Sequence, residues 1–274
     1  MAGRYVPVGR IAALLAVGVG IWVLARGIAP PHWKALAPGV EFALLRGEPY
    51  CRRGPADVAL LRVDPARADF RVFHYTRAGE KRPPNVLEWQ QRLDALAVFN
   101  AGQYYPDFSY MGLLVSGGAI VSERVHPGFH AALVAAPTGG RPAARVLDLE
   151  QDSLEIMNGR WREIAQSFML FDERGQLRVR KTDQIANRTV VAQDRRGRLV
   201  VATTEGGYTL WEFAELLRHA PLGLSHAMSM DGGHEAELCI VAGRFRYWSL
   251  GHWNGGTDPD AAVPLPAVVA VMKR

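Results

Sequence analysis

Two apolar segments of this 274-residue chain end in the same way, on a polar residue followed closely by glycine: Phe99-Asn100-Ala101-Gly102 and Met230-Asp231-Gly232-Gly233. Glycine at a strand end lets the backbone turn sharply and lets a ligand approach main-chain N–H groups. A carboxylate presented there has little freedom, which suits an acid, a base or a nucleophile. Asp-Gly is equally the dipeptide of a plain hairpin turn. His234, Glu235 and Glu237 follow directly, so one short segment carries three carboxylates and an imidazole. In a strand continuing from Gly233, Glu235 and Glu237 would share a face and His234 would look away. Paired carboxylates are the equipment of glycoside cleavage. As hard oxygen ligands, Asp231, Glu235 and Glu237 would also suit Ca²⁺ or Mg²⁺, and a solvated charged strand is the third reading.

Asn187-Arg188-Thr189 opens an apolar strand, and arginine is the residue for bidentate phosphate contact, although many strands begin with an exposed arginine. His126 and His130 have metal-pair spacing, but Pro127-Gly128 forbids the helix that would align them. There is no G-x-S-x-G nucleophile elbow, no GxGxxG and no Walker pattern. Tyr104, Tyr105, Trp248 and Trp253 could stack on sugars or serve as core and rim aromatics.

These residues must be held by mostly extended structure. Val40–Leu45, Asp57–Val63, Phe70–His74 and Leu96–Phe99 read as strands, as do Ala227–Met230, Leu238–Val241, Phe245–Trp248 and Ala267–Met272. Hairpins are expected over Gly112–Val121, Phe168–Val179 and Thr189–Thr203, turning at Gly117-Gly118, Glu173-Arg174-Gly175 and Arg195-Arg196-Gly197. Asn85 caps a short helix to Gln91, and Thr209 with Glu212 caps another to about His219. Strands outnumber helices, so the class is α+β with mixed or antiparallel sheets in a single domain.

The N-terminus is read as an address. Arg4 and Arg10 precede the apolar run Ile11–Ala25, which has the length of a secretory core and is short for a membrane span. Residues 1–28 are therefore expected to be a signal peptide or membrane anchor, 29–39 a Pro-rich tether and 40–274 the domain. That places the domain in the periplasm or on the extracellular face. The net charge of +5 is dispersed as single arginines with no aromatic interleaving, which argues against a nucleic-acid partner. Cys51 and Cys239 permit one disulfide in an exported chain, or two buried thiols.

Taken in order, these segments resemble the phosphodiester glycosidase family. The residues that carry the resemblance are Asn100-Ala101-Gly102-Gln103-Tyr104-Tyr105, Gly112-Leu113-Leu114-Val115 with Gly117-Gly118, Gln166-Ser167, Arg188-Thr189, the helix from Thr209, Asp231-Gly232-Gly233 and Leu265-Pro266-Ala267-Val268-Val269. Many relatives follow the signature with Gly-Gly-x-Ser-Ser, whereas here it continues His234-Glu235-Ala236-Glu237-Leu238. The resemblance implies a hydrolase of sugar-1-phosphodiester bonds acting on an envelope or extracellular glycan. It implies Asp231 as catalytic carboxylate, Glu235 as second acid/base and Asn100 as a sugar contact or a guide for Asp231. Substrate binding would fall to Arg188, Thr189, Gln166, Tyr104, Gly102, Gly232 and Gly233. No cofactor is required, a divalent cation being the variant, and the partners are a carbohydrate-phosphate substrate and the membrane. The altered flank motivates an alternative, a non-catalytic glycan-binding or assembly module on the same fold.

Overall fold

The computed structural model describes residues 28–140, 143–154, 159–252, 260 and 262–274. Residues 1–27, nearly all of the segment expected to be an address, and Trp253 lie outside the described residues. Among those described, no helix is long and apolar enough to cross a membrane.

The chain forms β1 (Lys34–Ala37), β2 (Val40–Arg46), β3 (Asp57–Val63), β4 (Ala68–His74), α1 (Val86–Leu93), β5 (Ala97–Asn100), β6 (Leu114–Ser116), β7 (Ala119–Ser122), β8 (Ala131–Pro137) and β9 (Ala144–Asp148). There follow β10 (Trp161–Phe171), β11 (Arg188–Asp194), β12 (Leu199–Thr204), α2 (Leu210–His219), β13 (Leu224–Gly232), β14 (Leu238–Ala242), β15 (Phe245–Ser249) and β16 (Ala267–Lys273). One sheet runs β1-β2-β3-β12-β11-β13-β10-β6-β7, with β8 also on β10 and β9 on β8; the other runs β15-β14-β5-β16-β4. Strand pairing is antiparallel throughout the described residues, so the α+β class holds with antiparallel rather than mixed sheets.

Alternation along the strands sorts side chains between two faces. Leu61, Phe99, Leu133, Val191, Met228 and Val269, drawn from both sheets, share the core between them. On the outer face of the large sheet, Leu60, Val190 and Ala227 pack under Phe213 and Leu217 of α2. On the outer face of the smaller sheet, Val98, Cys239 and Val268 pack under Val86 and Trp89 of α1. The layers are thus helix, sheet, sheet, helix. Both caps form as expected: Asn85 accepts from the Glu88 N–H while Glu88 reaches back, and Thr209 accepts from the Glu212 N–H.

Two expectations need correction, and an alternative left open for the cysteines is decided. Lys34–Ala37, placed in the tether, is a strand paired on β2, and Arg62 sits 3.8 Å over the Trp33 ring, so the folded domain begins ahead of residue 40. The left-handed Gly39 (φ 74°) makes the turn that folds this segment back. The hairpin from Phe168 turns where expected but returns as a single bridge, Phe171 to Leu177. Cys51 and Cys239 are both free thiols packed in different cores, one under α2 and one under α1.

Trp89 is wholly buried and donates Nε1–H to the Leu265 carbonyl at 2.9 Å, tying α1 to the segment before β16. Trp89→Ala should cost about 3–5 kcal/mol, read as a lower urea midpoint with an unchanged slope.

Candidate active site

β5 and β13 belong to different sheets, and their ends meet at Asp231. Asn100 Nδ2 donates to the Asp231 carbonyl (2.9 Å), Gln103 Nε2 donates to the Met230 carbonyl (3.1 Å), and the Asp231 N–H donates to the Ala101 carbonyl (3.0 Å). Ser167 on β10 steadies Gln103, its hydroxyl donating to Oε1 at 2.9 Å. Asn100 is buried and also accepts the Glu237 N–H at 3.2 Å, so its amide is spent on backbone. It holds the aspartate's main chain.

The Asp231 carboxylate accepts the N–H of Gly232 at 2.9 Å and lines a cleft of about 680 Å³. Floor residues Phe168, Ser229 and Asp231 come from β10 and β13, and Arg188 from β11. One wall is the exposed segment carrying Arg180, Thr182 and Gln184, and the exposed His130 also lines the cleft. Burial raises the Asp231 pKa from 3.8 to about 7, helped by the nearby Glu235 charge and opposed by Gly232 and Arg188. Arg188 is itself buried, which lowers its pKa to about 10, with Asp231 acting to keep it charged. Its Nε donates to the Tyr208 carbonyl (3.1 Å) and its Nη2 to the Gln184 carbonyl (2.7 Å). That leaves Nη1, beside Gly232, without a hydrogen-bond partner among the described residues.

Other expected residues fall elsewhere. Thr189 alternates away from Arg188 and is wholly buried facing the inter-sheet core. Gln166 has every amide position engaged: it accepts from the Leu113 and His126 N–H groups and donates to the His126 and Phe129 carbonyls. It staples the loop through those four bonds. A Cβ at Gly102 would overlap Tyr110 Oη, to which the Gly102 N–H donates at 3.0 Å. Gly232 and Gly233 do line the cleft, yet their N–H groups go to Asp231 and to the Asn187 carbonyl. Their absent side chains allow close packing, since a Cβ at Gly232 would sit 2.9 Å from the Asn187 carbonyl. Tyr104 bonds the Pro264 carbonyl at 3.4 Å outside the cleft, and burial together with Glu235 and Asp231 raises its pKa. Tyr105 accepts from Arg124 at 2.6 Å, and Trp248 packs at the margin of the core under α1.

The acidic flank is no strand. Gly233–Glu235 form one 3₁₀ turn, entered through Gly233 at φ 77°, so Glu235 and Glu237 do not share a strand face. Glu235 is half-buried beside Asp231, whereas Glu237 is wholly buried behind Asn100 and accepts from the Val263 N–H at 3.0 Å. Burial raises the Glu237 pKa from 4.5 to about 8. Among the described residues no three His, Cys, Asp or Glu side chains converge to hold a metal ion. Sequence reading assigned no role to Phe168 or Arg180, weighed His130 only as a metal partner of His126, and named Gln103 and Ser167 only within longer motifs. Phe168 was read only as strand.

A carboxylate of raised pKa thus stands beside a pinned arginine in a cleft on antiparallel strands, the groups that anion binding with acid/base chemistry would need. Residues 94–272 match the phosphodiester glycosidase family, and the chain belongs to it. Among solved structures, the zebrafish N-acetylglucosamine-1-phosphodiester alpha-N-acetylglucosaminidase catalytic domain, auto-inhibited by its pro-peptide, has a TM-score of 0.58 at 16% identity over 92% of this chain and 91% of its own. A hypothetical protein from Synechocystis has a TM-score of 0.61 at 14% identity over 90% of this chain. The chain spans 64% of that protein's length. No curated protein matches the chain.

The raised pKa links Asp231 to stability. Between 3.8 and about 7 the folded chain keeps a proton that the unfolded chain releases, so this group's contribution to stability falls as pH rises through that window. Asp231→Asn should therefore gain in melting temperature over the parent between pH 5 and pH 8. A difference independent of pH would mean that the folded-state pKa is ordinary.

Proposed function

We propose that the protein hydrolyses the bond between a sugar C1 and a phosphodiester oxygen in an envelope or extracellular glycan, with Asp231 as the catalytic carboxylate. The observation that carries this reading is the pairing of Asp231 with Arg188 on one cleft floor, in a chain of this family. The apolar run Ile11–Ala25 supports delivery outside the cytoplasm.

In the proposed reaction the C1–O bond breaks and its electron pair leaves on the phosphoryl oxygen. A phosphate monoester has a second pKa of about 6, so it departs as an anion at neutral pH without needing a proton. The more demanding task is attack at C1. Ionised Asp231 takes a proton from the attacking water, whose oxygen bonds to C1. Arg188 Nη1 meets the phosphate, and Glu235 serves as the second carboxyl by keeping the Asp231 pKa near working pH. Asn100 and Gln103 are positioning residues that fix the backbone of the base.

Three outcomes follow for a sugar-1-phosphodiester that the parent cleaves. Asp231→Asn should lower kcat by a factor of order 10² or more, and full activity would remove Asp231 from the mechanism. As a base with a pKa of about 7, Asp231 should make kcat/KM rise with pH through that value; a fall there would assign it the acid's role. Arg188→Lys should lose roughly tenfold or more in kcat/KM, because an ammonium's donors all sit on one nitrogen and cannot span the two carbonyls and the phosphate that Nε, Nη2 and Nη1 reach separately. Saturable glycan binding without turnover across a panel of such diesters would instead support the non-catalytic module.

A further inference from the structure

Strand pairing supplies a direction for the substrate, given the proposed chemistry. β13 is central, with β11 on one side and β10 on the other. Ser229 is registered with Val190 of β11 and Phe168 of β10, so these three side chains share a face. Beyond a register shift between Val190 and Arg188, Arg188 pairs with Gly232, and Arg188 and Asp231 line the same cleft as Phe168 and Ser229. Asp231 lies two residues beyond Ser229, the partner of Phe168, which is about 7 Å along β13 and within reach of an aromatic side chain. Arg188 and Phe168 stand two strand spacings apart and are offset by two residues along the strands, roughly 12 Å in all, with the carboxylate between them.

Phe168 is unusual for its strand. Four large apolar side chains are exposed among the described residues, and Phe168, at 37%, is the one lining the cleft. Its orientation is fixed from behind. Buried Phe129 meets it edge-on, ring centroids 4.5 Å apart at 64°, and Phe129 in turn lies 4.1 Å from the His126 ring. Gln166 holds that loop through the His126 and Phe129 carbonyls. A rigid aromatic face left open to a cleft is a platform for the C–H-bearing face of a pyranose, because the electron-rich ring attracts partly positive hydrogens. Arg178, farther along the cleft, is already paired with Asp148, Glu150 and Asp172, which leaves Arg188 as the buried cation beside the carboxylate.

We infer that the substrate lies across the strands, its pyranose ring stacked on Phe168 and its phosphate over Arg188, which centres the scissile C1–O bond on Asp231. Phe168 is then the residue that selects a sugar on the glycone side. This rests on the proposed sugar-phosphodiester reading, but its test needs no turnover.

N-acetylglucosamine 1-phosphate and inorganic phosphate are titrated by NMR into the parent, Phe168→Ala and Phe168→Trp. In the parent, the sugar ring protons should shift upfield from the aromatic ring current. Phe168→Ala should abolish the shift and weaken sugar phosphate binding about tenfold while leaving inorganic phosphate affinity unchanged. Phe168→Trp should retain both shift and affinity. Unshifted ring protons, absent binding, or equal affinity in Phe168→Ala would overturn the inference. Stacking observed without cleavage of any diester would leave it standing and count against the hydrolytic reading alone. An unchanged far-UV spectrum and melting curve for Phe168→Ala would show that the loss is local.

Discussion

The site depends on one junction, where the end of a strand in the smaller sheet is sewn to the end of a strand in the larger. Two side-chain amides, Asn100 and Gln103, take consecutive carbonyls, Asp231 and Met230, while the Asp231 N–H returns to Ala101. Both polar groups of the aspartate's own peptide are thereby satisfied by the opposite sheet. Buried main-chain groups left unpaired would each cost about 1–3 kcal/mol, so the junction fixes the carboxylate and closes the sheets in one set of contacts. Ser167 extends it to β10 through Gln103, so the neighbour of β13 that carries Phe168 is registered to the same point.

The electrostatics follow from that placement. A carboxyl held against two sheets is poorly hydrated, and its nearest anion, Glu235, sits one tight turn away. Arg188 opposes both effects, but it is buried and shares its donors with two carbonyls, so it does not return Asp231 to the ordinary range. The result is a group near half-ionisation at neutral pH, held there at a cost in folded-state stability. Glu237 is buried on the far side of Asn100 and has its own raised pKa, so carboxyl groups of raised pKa flank the junction on both sides.

Much of this was legible in the sequence because it rests on short-range chemistry. Asn85 and Thr209 announced the helices, Gly117-Gly118 and Arg195-Arg196-Gly197 announced hairpins, and apolar runs ending on Asn100 and Asp231 marked the junction. What was hidden depends on partners distant in sequence. Ala131–Pro137 carries too much alanine to read as a strand, yet pairing with β10 and β9 buries it as one. Thr189 and Gln166 have side chains suited to binding, but alternation and a loop's unsatisfied carbonyls claim them for structure. Glu235 and Glu237 seemed to form a strand pair only until Gly233 turned the chain.

The cleft is built from two unlike materials. Its floor comes from adjacent strands, where a slip of one residue would turn Phe168 into the core and Met169 outward. Its wall, the exposed stretch carrying Arg180, Thr182 and Gln184, belongs to no strand. Insertions there carry only a slowly growing entropic cost. The floor of the cleft is therefore closed to drift in chain length while its wall is open to it. Descent from a common ancestor could reshape the wall without disturbing the floor.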